Sequence, residues 1–184
     1  VEDLLLLARL DQQRPLVLQP VDLLSIAADV VSDARALQPQ RTITLTAGDA
    51  TVLPVVLGDD ARLRQVASNL VTNALVHTPE TAAVAVTVAV DGPNAVLRVS
   101  DTGPGIPPAD AARVFERFYR ADESRTRGHA DGGNATGGSG LGLSIVAALV
   151  AAHRGTVHVE SHVGVGTAFT VLLPLTRDEV LRPA

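Results

Sequence analysis

The chain has 184 residues, enough for one buried core, and its net charge of −5 with a pI near 5.4 argues against a general nucleic-acid binder. It contains no cysteine, which excludes disulfides and thiolate metal sites. It also has no lysine among its 15 basic residues, which excludes a P-loop lysine, a protein-kinase strand lysine and a Schiff base.

In chain order, residues 1–12 (VEDLLLLARLDQ) are leucine-rich without Gly or Pro and predict a helix that needs a partner for its apolar side. Pro15 and Pro20 bracket a linker over 15–20. Apolar positions 23, 24, 27, 30, 31 and 34 predict a helix over 21–37 with Asp22 near its start. Alternation predicts strands at 42–46 and 52–57. A long helix begins at Asp59, with Leu63, Val66, Leu70 and Val71 on its inward stripe. Asn69, Asn73 and His77 follow one another at steps of four on a neighbouring stripe, so they point the same way.

Residues 84–90 and 95–100 alternate on either side of the Asp-Gly-Pro-Asn turn at 91–94, an antiparallel pair. The stretch 120–138 is polar, Gly-rich and too long for an ordinary connection, and reads as a mobile lid. Residues 141–153 predict a helix closed by Gly155, and 156–161 with 167–173 predict a hairpin around Gly164 and Gly166. The aromatic fraction is 2%, so Leu, Val, Ala and Ile must build the core. No apolar run approaches the roughly 18 to 20 residues of a spanning helix, and the piece reads as not itself membrane-inserted. Starting at Val1 and lacking methionine, it reads as cut from a longer protein.

Four constellations carry chemistry. In NLVTNALVHT (69–78) two carboxamides stand one helical turn apart, and amide oxygens are hard, neutral ligands that suit Mg²⁺ beside a polyphosphate; a solvated helix face fits as well. In DTGPGIPP (101–108), Asp101 ends a strand on the inward side with Leu97 and Val99, a poor place for a carboxylate unless a ligand donor such as an adenine amine meets it. Gly103 and Gly105 there allow close backbone approach, or serve an Asp-initiated turn that needs positive φ.

In GGSGLGLSIV (137–146), glycines run directly into a helix, so free amides and the helix dipole make an anion site around Gly138, Ser139, Gly140, Leu141 and Gly142. Its GxGxG spacing is not the Rossmann fingerprint. In VFERFYRADESRTR (114–127), arginines including Arg117 and Arg120 stand on the lid flank, where they could neutralise phosphate charge or end a solvated helix; Phe115 and Phe118 read as lid anchors. His158 and His162 have the spacing of a metal pair, but on a strand and a hairpin helical spacing carries no meaning.

In this order, the four resemble the asparagine box, first glycine box, phenylalanine box and second glycine box of sensor histidine kinases. GVGTAF (164–169) is similar to that family's closing glycine-threonine hairpin. The resemblance covers roughly residues 21–175, the catalytic ATP-binding domain. Residues 1–14 resemble the end of the second helix of the family's dimerisation and phosphoacceptor domain, and 176–184 are a tail.

The resemblance implies an α/β two-layer sandwich, a mixed β-sheet packed against helices, with a flexible ATP lid and with ATP and Mg²⁺ as cofactors. It implies Asn73 as the Mg²⁺ ligand, Asn69 supporting metal and phosphates, and His77 beside them. Asp101 would receive the adenine amine, the amides near Gly138, Gly140 and Gly142 would cradle phosphates, and Thr167 would help the adenine pocket.

The reaction implied is γ-phosphoryl transfer to a histidine of the adjoining helical domain, then to an aspartate of a response regulator receiver domain. The parent implied is a membrane-anchored homodimer with this domain in the cytoplasm. None of the five histidines here has the acceptor's context. Where many relatives carry a lysine three residues after the second asparagine, this chain has Val76. Related ATP-driven clamps place a general-base glutamate four residues before the magnesium asparagine; here that position is Asn69, which disfavours a clamp ATPase. A degenerate ATP-binding scaffold is the remaining alternative.

Overall fold

The computed structural model describes residues 15–48, 52–116 and 141–176. The expected helix over 1–12, the lid over 120–138 and the end of the tail lie outside the described residues.

The elements run β1 (Gln19–Asp22), α1 (Leu23–Leu37), β2 (Ile43–Ala47), β3 (Val55–Gly58), α2 (Asp60–His77), β4 (Val84–Asp91), β5 (Asn94–Asp101), α3 (Pro108–Ala111), α4 (Gly142–Ala152), β6 (Thr156–His162) and β7 (Gly166–Pro174). The main sheet has the order β2-β4-β5-β7-β6, parallel between β2 and β4 and antiparallel elsewhere, which makes it mixed.

Alternation along the strands sorts the two faces. Val84, Val86 and Val88 of β4, Leu97 and Val99 of β5 and Phe169 and Val171 of β7 are buried, while Thr87, Arg98 and Thr170 between them are partly open to solvent. The helices cover the first face alone. α1 contributes Ile26, Val30 and Val31, α2 contributes Leu63, Val66 and Leu70, and α4 contributes Val146 and Val150 to one continuous core. The expected two-layer α/β sandwich is therefore the observed one, and its core is aliphatic apart from Phe169 and the packed edge of Phe115.

Both long helices start on the aspartates at their N-caps. Asp22 accepts from the Leu24 amide at 2.9 Å, and Asp59 accepts from the Arg62 amide at 3.2 Å. Three local expectations need correction. The linker at 15–20 runs into a short strand, β1, which pairs antiparallel with β3 from Gln19↔Gly58 to Asp22↔Val55. The helix expected from 21 begins at Leu23, since Val21 and Asp22 are held in that pairing. A one-turn helix, α3, follows Pro107, where no helix was expected.

The end of α4 also differs from the sequence reading. The left-handed residue that closes the helix is Arg154, with φ 59°, not Gly155. Gly155 is glycine for a different reason: a Cβ there would stand 2.5 Å from the Leu172 carbonyl oxygen and 2.7 Å from Leu173 Cδ2.

Gly155→Ala is therefore expected to destabilise the domain by about 1–3 kcal/mol, the range for forced overpacking. Arg154→Gly, which relieves a left-handed non-glycine backbone, should leave stability unchanged or raise it by less than about 1 kcal/mol. Urea unfolding of both variants, followed by circular dichroism, checks the pair; a harmless Gly155→Ala would contradict the packing argument.

Candidate functional site

One group of the site residues gathers where β5 ends, α2 ends and the β6–β7 hairpin folds back. Asp101 is the last residue of β5, in register with Thr167 of β7 and Val84 of β4. It is half-buried on the helix-covered side, as its parity with Leu97 and Val99 predicts. Its Oδ1 accepts from the Gly103 amide at 2.9 Å. Burial pushes the Asp101 carboxyl above its ordinary value, while the amides of Gly103 and Thr167 and the charges of Arg41 and His77 pull the other way.

The loop after Asp101 is fitted against protein on both sides. A Cβ on Gly103 would stand 2.3 Å from Thr78 Cγ2 and 2.8 Å from Asp101 Oδ1. Gly105 has φ 73°, and a Cβ there would stand 2.2 Å from the His162 carbonyl oxygen. Gly166, at φ 140°, lies equally tight against the Asp101 carbonyl. Packing against Thr78 and the hairpin thus accounts for both glycines of the DTGPG motif.

Ser161, which the sequence reading passed over, joins these pieces. Its Oγ accepts from the Ile106 amide at 2.7 Å, donates to the Gly166 carbonyl at 3.1 Å and lies 2.8 Å from Thr167 Oγ1. With its hydrogen given to Gly166, the shared bond is donated by Thr167, whose hydroxyl is thereby oriented and buried. A polar side chain at an inward position of the 157, 159, 161 alternation was the available signal.

On α2, Asn69 and Asn73 are half-buried and His77 is exposed at the helix end. Asn69 donates from Nδ2 to the Gly142 carbonyl at 3.3 Å, which brings the asparagine stripe against the start of α4 and leaves the amide oxygen available. Leu141 stands at the N-cap of α4 and supplies no side-chain cap, so among the described residues it leaves the first amides of the helix uncapped. Among the described residues no atom lies within 4 Å of the place a Cβ of Gly142 would take, so packing against them does not require glycine there. Phe115 meets Phe169 edge to face with centroids 6.0 Å apart, so its ring packs on the core. Arg117, Phe118, Arg120, Gly138, Ser139 and Gly140 lie outside the described residues.

Arg41 is the second residue the sequence reading missed. It is 6% exposed and sits at the inward parity of Ile43, just before β2. Its Nε donates to the Ala82 carbonyl at 3.0 Å, Nη1 to Leu75 O and Gln38 Oε1 at 3.1 Å each, and Nη2 to Ala74 O at 3.4 Å and to Thr78 Oγ1.

His158 and His162 are exposed on the open face of β6, and among the described residues no group of three or more His, Cys, Asp or Glu could hold a metal. A cleft lined by Pro15, Val17, Gln19 and residues 59–62 lies at the N-terminal end of α2, a helix length of roughly 27 Å from His77. It brings together none of the predicted site residues. No described helix is long and apolar enough to cross a membrane.

Comparison with known proteins agrees with this geometry. Residues 58–177 match the family described as histidine kinase-, DNA gyrase B-, and HSP90-like ATPase. Over 176 residues the chain is 49% identical to the probable sensor histidine kinase TcrY of Mycobacterium tuberculosis, covering 95% of this chain and 35% of that protein. The mycobacterial sensor histidine kinase MprB superposes with a TM-score of 0.70 at 30% identity, covering 85% of this chain and 97% of that one. Full-length ShkA in complex with AMPPNP superposes with a TM-score of 0.70 at 34% identity, covering 88% of this chain and 32% of that one. The chain thus spans little more than a third of the length of curated relatives such as TcrY.

Two outcomes are expected of the isolated site. Ser161→Ala leaves the Ile106 amide without its acceptor and should cost about 1–3 kcal/mol in denaturant unfolding. Because the folded state raises the Asp101 pKa, that carboxyl's stabilising contribution is full below its unfolded pKa and is lost as pH rises through its folded value. Asp101→Asn removes this dependence. The stability of the ligand-free variant relative to wild type should therefore increase with pH across that window, and a constant difference would contradict the burial of an ionising group.

Proposed function

Because the chain belongs to the family of histidine kinase-, DNA gyrase B- and HSP90-like ATPases, and within it to the sensor histidine kinases, we propose that it is the ATP-binding catalytic domain of a two-component sensor. Its reaction is transfer of the ATP γ-phosphoryl group to a histidine on an adjoining helical domain, for relay to an aspartate of a response regulator receiver domain. The parent is a membrane-anchored homodimer with this domain on the cytoplasmic side. The observation that carries the reading is the Asn69–Gly142 bond, which sets the asparagine stripe of α2 beside the uncapped start of α4. Base recognition is assigned to Asp101, at the end of β5 opposite Thr167.

The roles follow from the chemistry of each group. Asp101, an acceptor on the covered side, receives the adenine amine, and the oriented hydroxyl of Thr167 completes that end of the pocket. The amides of Gly142 and of the preceding Gly138, Ser139, Gly140 and Leu141 take the phosphates at a helix N-terminus. Asn73 holds Mg²⁺ through its amide oxygen, with the free oxygen of Asn69 and the side chain of His77 in support.

The donor set fits Mg²⁺. Among the described residues there is no carboxylate or imidazole cluster that would take a transition metal, and neutral amide oxygens suit an ion that keeps phosphate and water ligands. Held there, Mg²⁺ would supply positive charge against the phosphate oxygens. Arg117 and Arg120 add positive charge on the segment that Phe115 and Phe118 anchor. The contribution of the domain is positioning plus charge neutralisation.

Asn69 stands where an ATP-driven clamp has its general base, so water is not activated and hydrolysis is slow. The solved relative ShkA binds AMPPNP, a non-hydrolysable analogue of the same nucleotide.

Calorimetry with ATP, with and without Mg²⁺, tests the reading alongside an assay for released phosphate and transfer to a separately made phosphoacceptor domain. ATP should bind, Asp101→Asn should lose about tenfold or more in affinity, Asn73→Ala should lose the Mg²⁺ dependence, and free phosphate should be negligible. Rapid hydrolysis would move the protein to the clamp class; absence of nucleotide binding would leave an interaction scaffold.

A further inference from the structure

Arg41 is a buried cation without a contacting anion: among the described residues none of the ion pairs includes it, and its charge is spread over carbonyls, an amide oxygen and a hydroxyl. Capping the last carbonyls of α2 would need only part of that fork. The remainder reaches Thr78, whose hydroxyl donates to the Ala74 carbonyl at 2.6 Å and whose methyl group fills the space that a Cβ on Gly103 would need. Gly103 in turn donates its amide to Asp101 Oδ1. A continuous path of contacts therefore runs from Arg41 through Thr78 and Gly103 to Asp101.

Resting on the ATP-binding reading above, we propose that Arg41 is a positioning residue for base recognition. Through Thr78 and Gly103 it fixes where the Asp101 carboxylate stands, and its buried guanidinium biases that carboxylate to the ionised form. Ionised, Asp101 is acceptor-only, so it pairs with a base that presents an exocyclic amine and is repelled by one that presents a carbonyl at the same place. Arg41 thereby contributes to selection of adenine over guanine without touching either.

Among the described residues few other groups act on Asp101. His77 does so from the end of α2, Glu80 acts on Arg41 from the α2–β4 connection, and β7 supplies the Thr167 amide. Arg41 and a protonated His77 both favour the charged carboxylate, against burial, so loss of Arg41 raises the pH at which Asp101 ionises.

The test follows the Asp101 side-chain carboxyl carbon by NMR through a pH titration of the nucleotide-free chain, in wild type, Arg41→Met and Arg41→Lys. The midpoint should rise by roughly half a pH unit or more in the methionine variant and stay near wild type in the lysine variant. The acid limb of ATP affinity should move with it, and the ratio of ATP to GTP affinity should fall. A folded Arg41→Met with an unmoved midpoint would overturn the proposal.

Should the methionine variant not fold, Arg41→Lys and Thr78→Val decide. The first is expected to keep the midpoint. The second is expected to lower ATP affinity several-fold with the midpoint unmoved. A shifted midpoint in the one, or unchanged affinity in the other, overturns the proposal. The titration needs no nucleotide, so a wild-type chain that fails to bind ATP would refute the functional reading separately from the role of Arg41.

Discussion

The hydrogen bonds of one buried guanidinium hold the working end of this domain together. A helix leaves its last carbonyls without partners, and an α2 ending against a sheet edge would bury some of them unsatisfied. Arg41 reaches in from the connection after α1, takes the carbonyls of Ala74 and Leu75, and bonds to Ala82 at the entry to β4. Removing a guanidinium from water is costly unless its donors are met, and here they are met by groups that themselves needed donors. The arrangement places Thr78 where it meets the loop after Asp101, so the position next to it tolerates only glycine. One residue just before a strand thus shapes a motif some sixty residues further on.

The glycines of the site divide by what crowds them. Gly103, Gly105 and Gly166 are each pressed by protein atoms, so the side around Asp101 is packed before any ligand arrives. Gly142 faces no such neighbour among the described residues, and the helix it starts has no side-chain cap. A preorganised acceptor on one side and open amide donors on the other suit a nucleotide, whose base is recognised by shape and hydrogen bonds and whose phosphates are recognised by charge. Ser161 makes the packed side rigid by serving the Ile106 loop and the β7 start with one hydroxyl.

Periodicity made most of this legible. The inward stripe of α2, the alternation of β4 and β5 and the parity of Asp101 with Leu97 and Val99 were readable because each repeats over several residues against one core. What repeats too little was lost. β1 has four residues and contains Pro20, which an edge strand of a two-stranded ribbon tolerates and a sequence reader takes for a linker. α3 has one turn, too short to show a period. Arg41 and Ser161 were visible as polar residues at inward positions of otherwise alternating strands, but their partners lie far away in sequence, and only the fold reveals that they are satisfied. Arg154 gave no signal, since glycine stands next to it and is the expected helix terminator.

α2 is clamped at its other end as well, and this completes the logic of the site. Asp59 accepts from the Arg62 amide and from the Val17 amide at 3.0 Å, while its own amide donates to His153 Nε2 at 3.0 Å. These bonds and burial act in opposite directions on Asp59, and its carboxyl stands below the ordinary value, so the cap is ionised at neutral pH. His153 is buried and lies 2.7 Å from the Leu149 carbonyl through Nδ1, which requires the Nδ1–H tautomer if Nε2 is to accept. Gly58 leaves the room this imidazole occupies, since a Cβ there would stand 2.9 Å from its Cδ2. The helix that carries Asn69, Asn73 and His77 is therefore bonded to the incoming chain and to α4 at its start and to the sheet at its end. Sliding or rotating it would break hydrogen bonds at one end or the other, the buried ones being those of Arg41 at its C-terminal end. Chemistry that depends on positioning needs this, because the distance between the asparagine stripe and Asp101 is then set by the fold and not by the ligand.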